Sequence, residues 1–245
     1  MNPDKPHLYI ASNPEMVIKE IKKRDCILNE PIKPFPDIDF LKQFATSHYW
    51  SDSESVNIFR VVGTAHPDYN HGITWIDMLK VGKRMHLNLA LLAQNQDYYF
   101  ENKRKEPDMH YTKINDEIYI SGEGNHRTAI AKVLFYFTGD TILHGIKYEE
   151  FEIDFRLMDS YRKIKEILFQ KYPHVELQIS KKIYKREDTA KWKKDYFEIS
   201  FLLINHRKGR SFEFDSNESE SILRELSSIN LINKIFSKSK LKNIL

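Results

Sequence analysis

The segment EIYISGEGNHRTAIAKVLFYF, residues 117–137, changes its hydrophobic period abruptly. Ile118 and Ile120 alternate with Tyr119 and Ser121, as in a half-buried strand. Ala129, Ile130, Val133, Leu134 and Phe137 then recur at the spacing of one helical face. The chain must turn sharply between the two patterns, and Gly122 and Gly124 permit backbone angles and close approaches that a side chain obstructs. A strand that feeds a helix through so short a corner predicts an α/β (α+β) fold.

The corner also predicts chemistry. The first amides of a helix lack internal partners and lie at the positive end of its dipole, which suits a phosphate-sized anion. Arg127 adds a planar fork of donors for phosphate oxygens. His126 can donate a hydrogen bond or move a proton near neutral pH, and Asn125 is placed to cap the helix. Glu123 repels phosphates unless a cation intervenes. Three roles are open to it: holding Mg²⁺ together with the phosphates, taking a proton from an attacking hydroxyl or water, or pairing with Arg127 or Lys132.

The run SGEGNHRTAIAK, residues 121–132, resembles the Gly-x-His-Arg or Gly-x-Arg-Arg signature of the ParB/sulfiredoxin-like (ParB-like nuclease) superfamily. The resemblance covers 109–137 and extends more loosely back to residue 73. It implies a strand leading into a helix whose first turn grips nucleotide phosphates, with Gly124, His126 and Arg127 on the gripping positions; Gly122, Asn125 and Thr128 complete the expected binding corner. ATP or CTP with Mg²⁺ would be the cofactor, and NTP hydrolysis or nucleic-acid cleavage the chemistry, with His126 and Arg127 catalytic; Glu123 is not an invariant part of the family pattern, and its place as a third catalytic residue is expected from its own chemistry. Asn125 stands where a sulfiredoxin has its nucleophilic cysteine, so that activity is not expected. Neither the lead-in of partition proteins nor a following helix-turn-helix is present.

Elsewhere the signals are coarser. A helix is expected around 13–23, followed by a connection broken by Pro31, Pro34 and Pro36. VNIFRVV reads as a strand and HPDYNHG as a loop, in which His66, Asp68 and His71 are three metal-ligand types within six residues. Residues 73–103 read as mainly helical, interrupted at Gly82, with Leu87, Leu91 and Leu92 in the core. MHYTKINDEIYIS reads as a hairpin turning at Asn115 and Asp116. From residue 151 the expected order is helix, three strands, helix, with Asn217 capping the last helix and Glu220 as its third residue. The expected division is 1–63 as a helical, proline-punctuated segment, 64–153 as the phosphate-binding domain and 154–245 as an α-β-β-β-α region.

Among 245 residues, 38 basic and 35 acidic side chains give a net charge of only +3, so total charge does not mark a nucleic-acid binder. Its distribution raises the question again. Lys181, Lys182, Lys185, Arg186, Lys191, Lys193 and Lys194 interleave with Tyr184 and Trp192, a combination suited to DNA or RNA through phosphate attraction and stacking. A solvated strand edge guarded by lysines has the same composition. A second Asn-His-Arg, residues 205–207, falls at a turn where Arg207, Lys208 and Arg210 can meet a polymer backbone.

Other classes find no support. No P-loop, His-Glu-x-x-His or Gly-x-Ser-x-Gly motif occurs, and the single cysteine, Cys26, cannot build an internal disulfide or a cysteine-based zinc site. No apolar run has the length of a membrane span and no signal-peptide pattern opens the chain, so cytoplasmic residence without a membrane partner is expected.

Overall fold

A computed structural model describes residues 5–228 and 241–245 of the chain. In chain order, its elements are α1 (Pro6–Ser12), α2 (Pro14–Ile21), β1 (Lys33–Pro34), α3 (Ile38–Lys42), β2 (Ala45–Asn57), β3 (Val61–Thr64), α4 (Met78–Val81), α5 (Met85–Gln94) and α6 (Asp97–Phe100). There follow β4 (His110–Ile114), β5 (Glu117–Ile120), α7 (Asn125–Thr138), β6 (Ile142–Ile153), α8 (Phe155–Lys171), β7 (Val175–Asp188), β8 (Trp192–Asn205), β9 (Arg210–Asp215) and α9 (Ser219–Ser228). The class is mixed α/β. Among the described residues no helix is long and apolar enough to cross a membrane.

Two compact units form, and both are discontinuous in sequence. The first contains residues 1–37, 49–151 and 188–193; the second contains 38–48, 152–187 and 194–245. The three consecutive segments expected from the sequence are replaced by this interleaving, because β2 carries the chain from the second unit into the first.

In the first unit the strands run β1-β3-β5-β4-β6-β2. β3 is parallel to β5, β4 is antiparallel to β5, and β4 is parallel to β6. The hairpin of β4 and β5 turns at Asn115, whose φ of 51° is one that asparagine tolerates better than most residues. β5 leads through Ser121–Gly124 into α7, the strand, corner and helix expected from the sequence.

The core gathers on α7. Residues Thr128–Phe135 are all buried, so this helix is enclosed on every side and does not present the single apolar face expected. Ile10, Val17 and Ile21 of the N-terminal helices join Trp75, Leu79, Leu89 and Leu92 in one cluster with Ala129, Ile130, Val133 and Leu134. Fully burying each large side chain of this kind contributes roughly 1.5–3 kcal/mol.

Several expectations are corrected here. The N-terminal helix is preceded by α1, separated from it at Asn13 because Pro14 opens α2. VNIFRVV is the end of β2, a 3₁₀ turn and β3, not one strand. The helical stretch breaks at Gly82 as expected, but Leu87 and Leu91 are 54% and 61% exposed, and Met85, Leu89 and Leu92 face inward. HPDYNHG contains a 3₁₀ turn at Pro67–Tyr69.

In the second unit α8, β7, β8, β9 and α9 follow one another as expected, with β8 paired to β7 and antiparallel to β9. The start of α9 is organised by Asp215 and Glu218, not by Asn217. Each of these carboxylates accepts the other residue's backbone N–H, at 2.9 and 3.2 Å.

Candidate functional site

Gly124 is the residue before α7, at φ 119°, where an L side chain is strained. A methyl there would also stand 3.2 Å from Met109 Cγ. As a glycine, Gly124 offers no side chain to cap the helix, and among the described residues no other side chain does so. The expected cap, Asn125, is the first helical residue, and its Oδ1 instead accepts the Thr64 hydroxyl proton at 2.5 Å, tying α7 to the end of β3. The opening amides of α7 are therefore left to whatever occupies the space in front of them.

That space is a cavity of about 630 Å³. Its lining includes Gly122, Glu123, Gly124, Asn125, His126 and Arg127 from the corner. His66, Asp68, Tyr69, Lys83, Arg84, Asn88, Asn95, Tyr98 and Pro107 arrive from other elements of the same unit. Six of the seven corner residues expected to bind or react therefore share one cavity wall. Thr128 is the exception: it is buried, and its hydroxyl bonds Gly124 O at 2.9 Å and Tyr111 Oη at 2.7 Å.

Arg127 is only 12% exposed in its side chain. Nη1 donates to Tyr98 Oη at 3.0 Å and to the Pro107 carbonyl, so part of its fork holds the cavity wall. Nη2 stands 4.0 Å from Glu123, whose side chain is 81% exposed. Lys132, the other partner considered for Glu123, lies buried under the Trp75 ring and makes no such pair. Arg84 lines the cavity without a salt bridge among the described residues, making it a cation available to an incoming anion.

His126 is held from one side. Its Nε2 lies 3.2 Å from the buried Tyr69 hydroxyl, and Tyr69 stacks on His66 at 4.5 Å between centroids. Burial, with His66, Arg127 and Arg84 nearby, holds the imidazole below its ordinary pKa, which favours its neutral form.

Two of the three metal-ligand types of the preceding loop, His66 and Asp68, are engaged with protein, and His71 is exposed. His66 Nδ1 accepts the Asp68 N–H at 3.2 Å, and Asp68 pairs with Lys83. Among the described residues no three His, Cys, Asp or Glu side chains gather as a cation site. Mg²⁺ commonly binds through one or two carboxylates together with substrate phosphates, a donor set that Glu123 fits.

The basic residues of the C-terminal half are dispersed in role. Lys181 donates to Lys42 O at 2.6 Å and sits 3.8 Å from the Phe197 centroid, and burial lowers its pKa to about 8. Lys185 pairs with Glu187, and Arg186 makes a forked pair with Asp195 at 2.6 and 3.2 Å. Lys182 is exposed on β7 and Lys194 lies 5.1 Å from the Tyr196 centroid. Lys191 and Lys193 belong to the first unit. Arg207 and Lys208 occupy the turn before β9, which Arg210 opens.

Tyr69, Arg84, Asn88, Asn95 and Tyr98 were not singled out from the sequence. Only packing brings them to the corner; His126 and Tyr69 are 57 residues apart. No family model, curated protein or solved structure matches the chain.

Proposed function

We propose that the cavity at the start of α7 binds the phosphate group of a nucleotide, ATP or CTP being the first candidates, and supports hydrolysis of its phosphoester or phosphoanhydride bond. One observation carries the reading: the uncapped amides of α7 open into a cavity that also holds His126, Arg127 and Arg84. The resemblance of SGEGNHRTAIAK to the ParB/sulfiredoxin-like superfamily supports the same ligand class. In the hydrolytic step a water oxygen bonds to phosphorus while the bond to the leaving oxygen breaks. Glu123 takes the water proton, His126 hydrogen-bonds a phosphoryl oxygen, and Arg127, Arg84 and the amides offset the developing charge. In the alternative role Glu123 would hold Mg²⁺ with the phosphates instead of taking the proton, and the metal would supply further charge neutralisation.

The test is phosphate release from ATP and CTP, with and without Mg²⁺, by wild type and Glu123→Gln. Turnover in wild type that falls at least about 100-fold in the variant is the expected result. Absence of turnover in both, or equal turnover, overturns the hydrolytic reading.

A second reading, nucleic-acid binding without turnover, is favoured by one feature of β7. Residues Lys182–Arg186 are all exposed, with Tyr184 at 65% available for stacking beside Lys182 and Lys185. Binding of short DNA or RNA that weakens steeply with salt and is reduced by Tyr184→Ala would establish it. Binding unaffected by both would remove it.

A further inference from the structure

The ring of His126 is constrained at two points, by the Tyr69 hydroxyl and by Gly82. Tyr69 is buried, and its hydroxyl oxygen lies 3.4 Å from the backbone nitrogen of Lys83 and 3.2 Å from His126 Nε2. A backbone N–H can only donate, so the Tyr69 oxygen accepts from Lys83. Among the described residues the phenolic proton then has one acceptor within reach, His126 Nε2. The second constraint is Gly82. A methyl built on it would stand 2.7 Å from His126 Cδ2 and 3.1 Å from Nε2, so the ring edge containing Nε2 rests against glycine backbone.

We infer that Tyr69 is a positioning residue that fixes His126 as the neutral tautomer protonated on Nδ1. The cavity is thereby presented with a hydrogen-bond donor that carries no net charge. This deepens the phosphate reading of the same site and rests on it for the ligand. A neutral donor beside the α7 amides binds a phosphoryl oxygen without the fixed attraction of an imidazolium, which leaves Arg84 and Arg127 as the permanent cations.

The charged and titratable groups around the ring agree with a neutral imidazole. His66 stacks on Tyr69 from the loop after β3, Lys83 and Arg84 come from the turn before α5, and Arg127 is the next residue on α7. Glu123, at the corner, is the one neighbour that favours the cation, and it is largely exposed. Asp68 is neutralised by Lys83.

The experiment is nitrogen-detected NMR of ¹⁵N-histidine-labelled wild type and Tyr69→Phe, with His126 assigned by its loss in His126→Asn, across pH 5 to 8. Tyr69→Phe keeps the ring and its stacking on His66 and removes only the hydroxyl. The expected result is an Nδ1–H signature in wild type at pH 7.5 that is lost in Tyr69→Phe, where the Nε2–H form becomes populated and the His126 titration moves to higher pH. An Nε2–H or doubly protonated ring in wild type at pH 7.5, or a tautomer unchanged in Tyr69→Phe, overturns the inference. Binding of ATP or CTP is measured on the same samples. A wild type with the expected tautomer and no ligand affinity contradicts the phosphate reading alone; binding with the other tautomer contradicts the role of Tyr69 alone.

Discussion

Arg127 donates a hydrogen bond to the main-chain carbonyl of Pro107, twenty residues earlier, so a residue of the glycine corner holds another segment of the cavity lining. The same Nη1 reaches Tyr98 Oη. The guanidinium is therefore a strut as well as a charge. Arg127→Lys keeps the charge and loses the fork, and is expected to weaken nucleotide binding by about tenfold or more, with a lowered melting temperature. Titration calorimetry and thermal unfolding check the two effects; an unchanged melting temperature would contradict the strut.

Lys132 has its Nζ 4.5 Å from the Trp75 centroid and 5.8 Å from that of Phe59, with no hydrogen-bond partner among the described residues. Burial lowers its pKa from an ordinary 10.5 to about 7, which the attraction of Glu30 only partly resists. Between these two values the unfolded chain binds a proton that the folded chain does not, so this residue makes stability rise with pH across that window. The penalty is fully present below about pH 7. Lys132→Met is expected to stabilise the protein at pH 7 by a few kcal/mol, of order 1–4 after loss of the cation–π contacts. It should also flatten the dependence between pH 7 and 10. Urea unfolding at both pH values checks it; equal slopes in the two proteins would contradict it.

Gly145 sits at φ 70°, and a methyl there would lie 1.6 Å from Lys103 O. Its own carbonyl accepts the Lys105 N–H at 2.7 Å, clamping the segment that carries Glu106 and Pro107 to the cavity. Gly145→Ala is expected to cost more than about 2 kcal/mol and to weaken ligand binding through displacement of that segment. Chemical denaturation measures the first effect, and a cost under 1 kcal/mol would contradict it.

Gly82 offers a contrast. Its φ of −63° suits alanine, so the obstacle to Gly82→Ala is mainly the His126 ring 2.7 Å away, with Met78 O at 3.0 Å. The variant should lose less stability than Gly145→Ala and more ligand affinity than stability, read by comparing denaturation midpoints with calorimetry. A large destabilisation with intact affinity would contradict the placement of the ring.

The corner was legible in the sequence because its information is local: two periods, two glycines, and polar residues in the first turn of α7. What completes the cavity was not, because Tyr69 and Tyr98 reach His126 and Arg127 through packing across 57 and 29 residues. On α5 the apolar residues Met85, Leu87, Leu89, Leu91 and Leu92 surround the helix too evenly for periodicity to select the buried face. β2 was missed because ATSHYWSDSESVN is largely polar and its start carries no turn signal. Asn125 illustrates the limit most sharply. Its residue type suits a cap, but Gly124 already takes that position and Thr64 claims the side chain.

The central claim is a phosphate site formed by the α7 amides with Arg84, His126 and Arg127. The most direct measurement is titration calorimetry of ATP and CTP, each with and without Mg²⁺, into wild type, Arg84→Ala, His126→Ala and the control Lys208→Ala, which does not line the cavity. Saturable binding to wild type and to Lys208→Ala, weakened about tenfold or more in Arg84→Ala and His126→Ala, is the predicted result. No saturable binding of either nucleotide, or equal affinity in all four proteins, would contradict it.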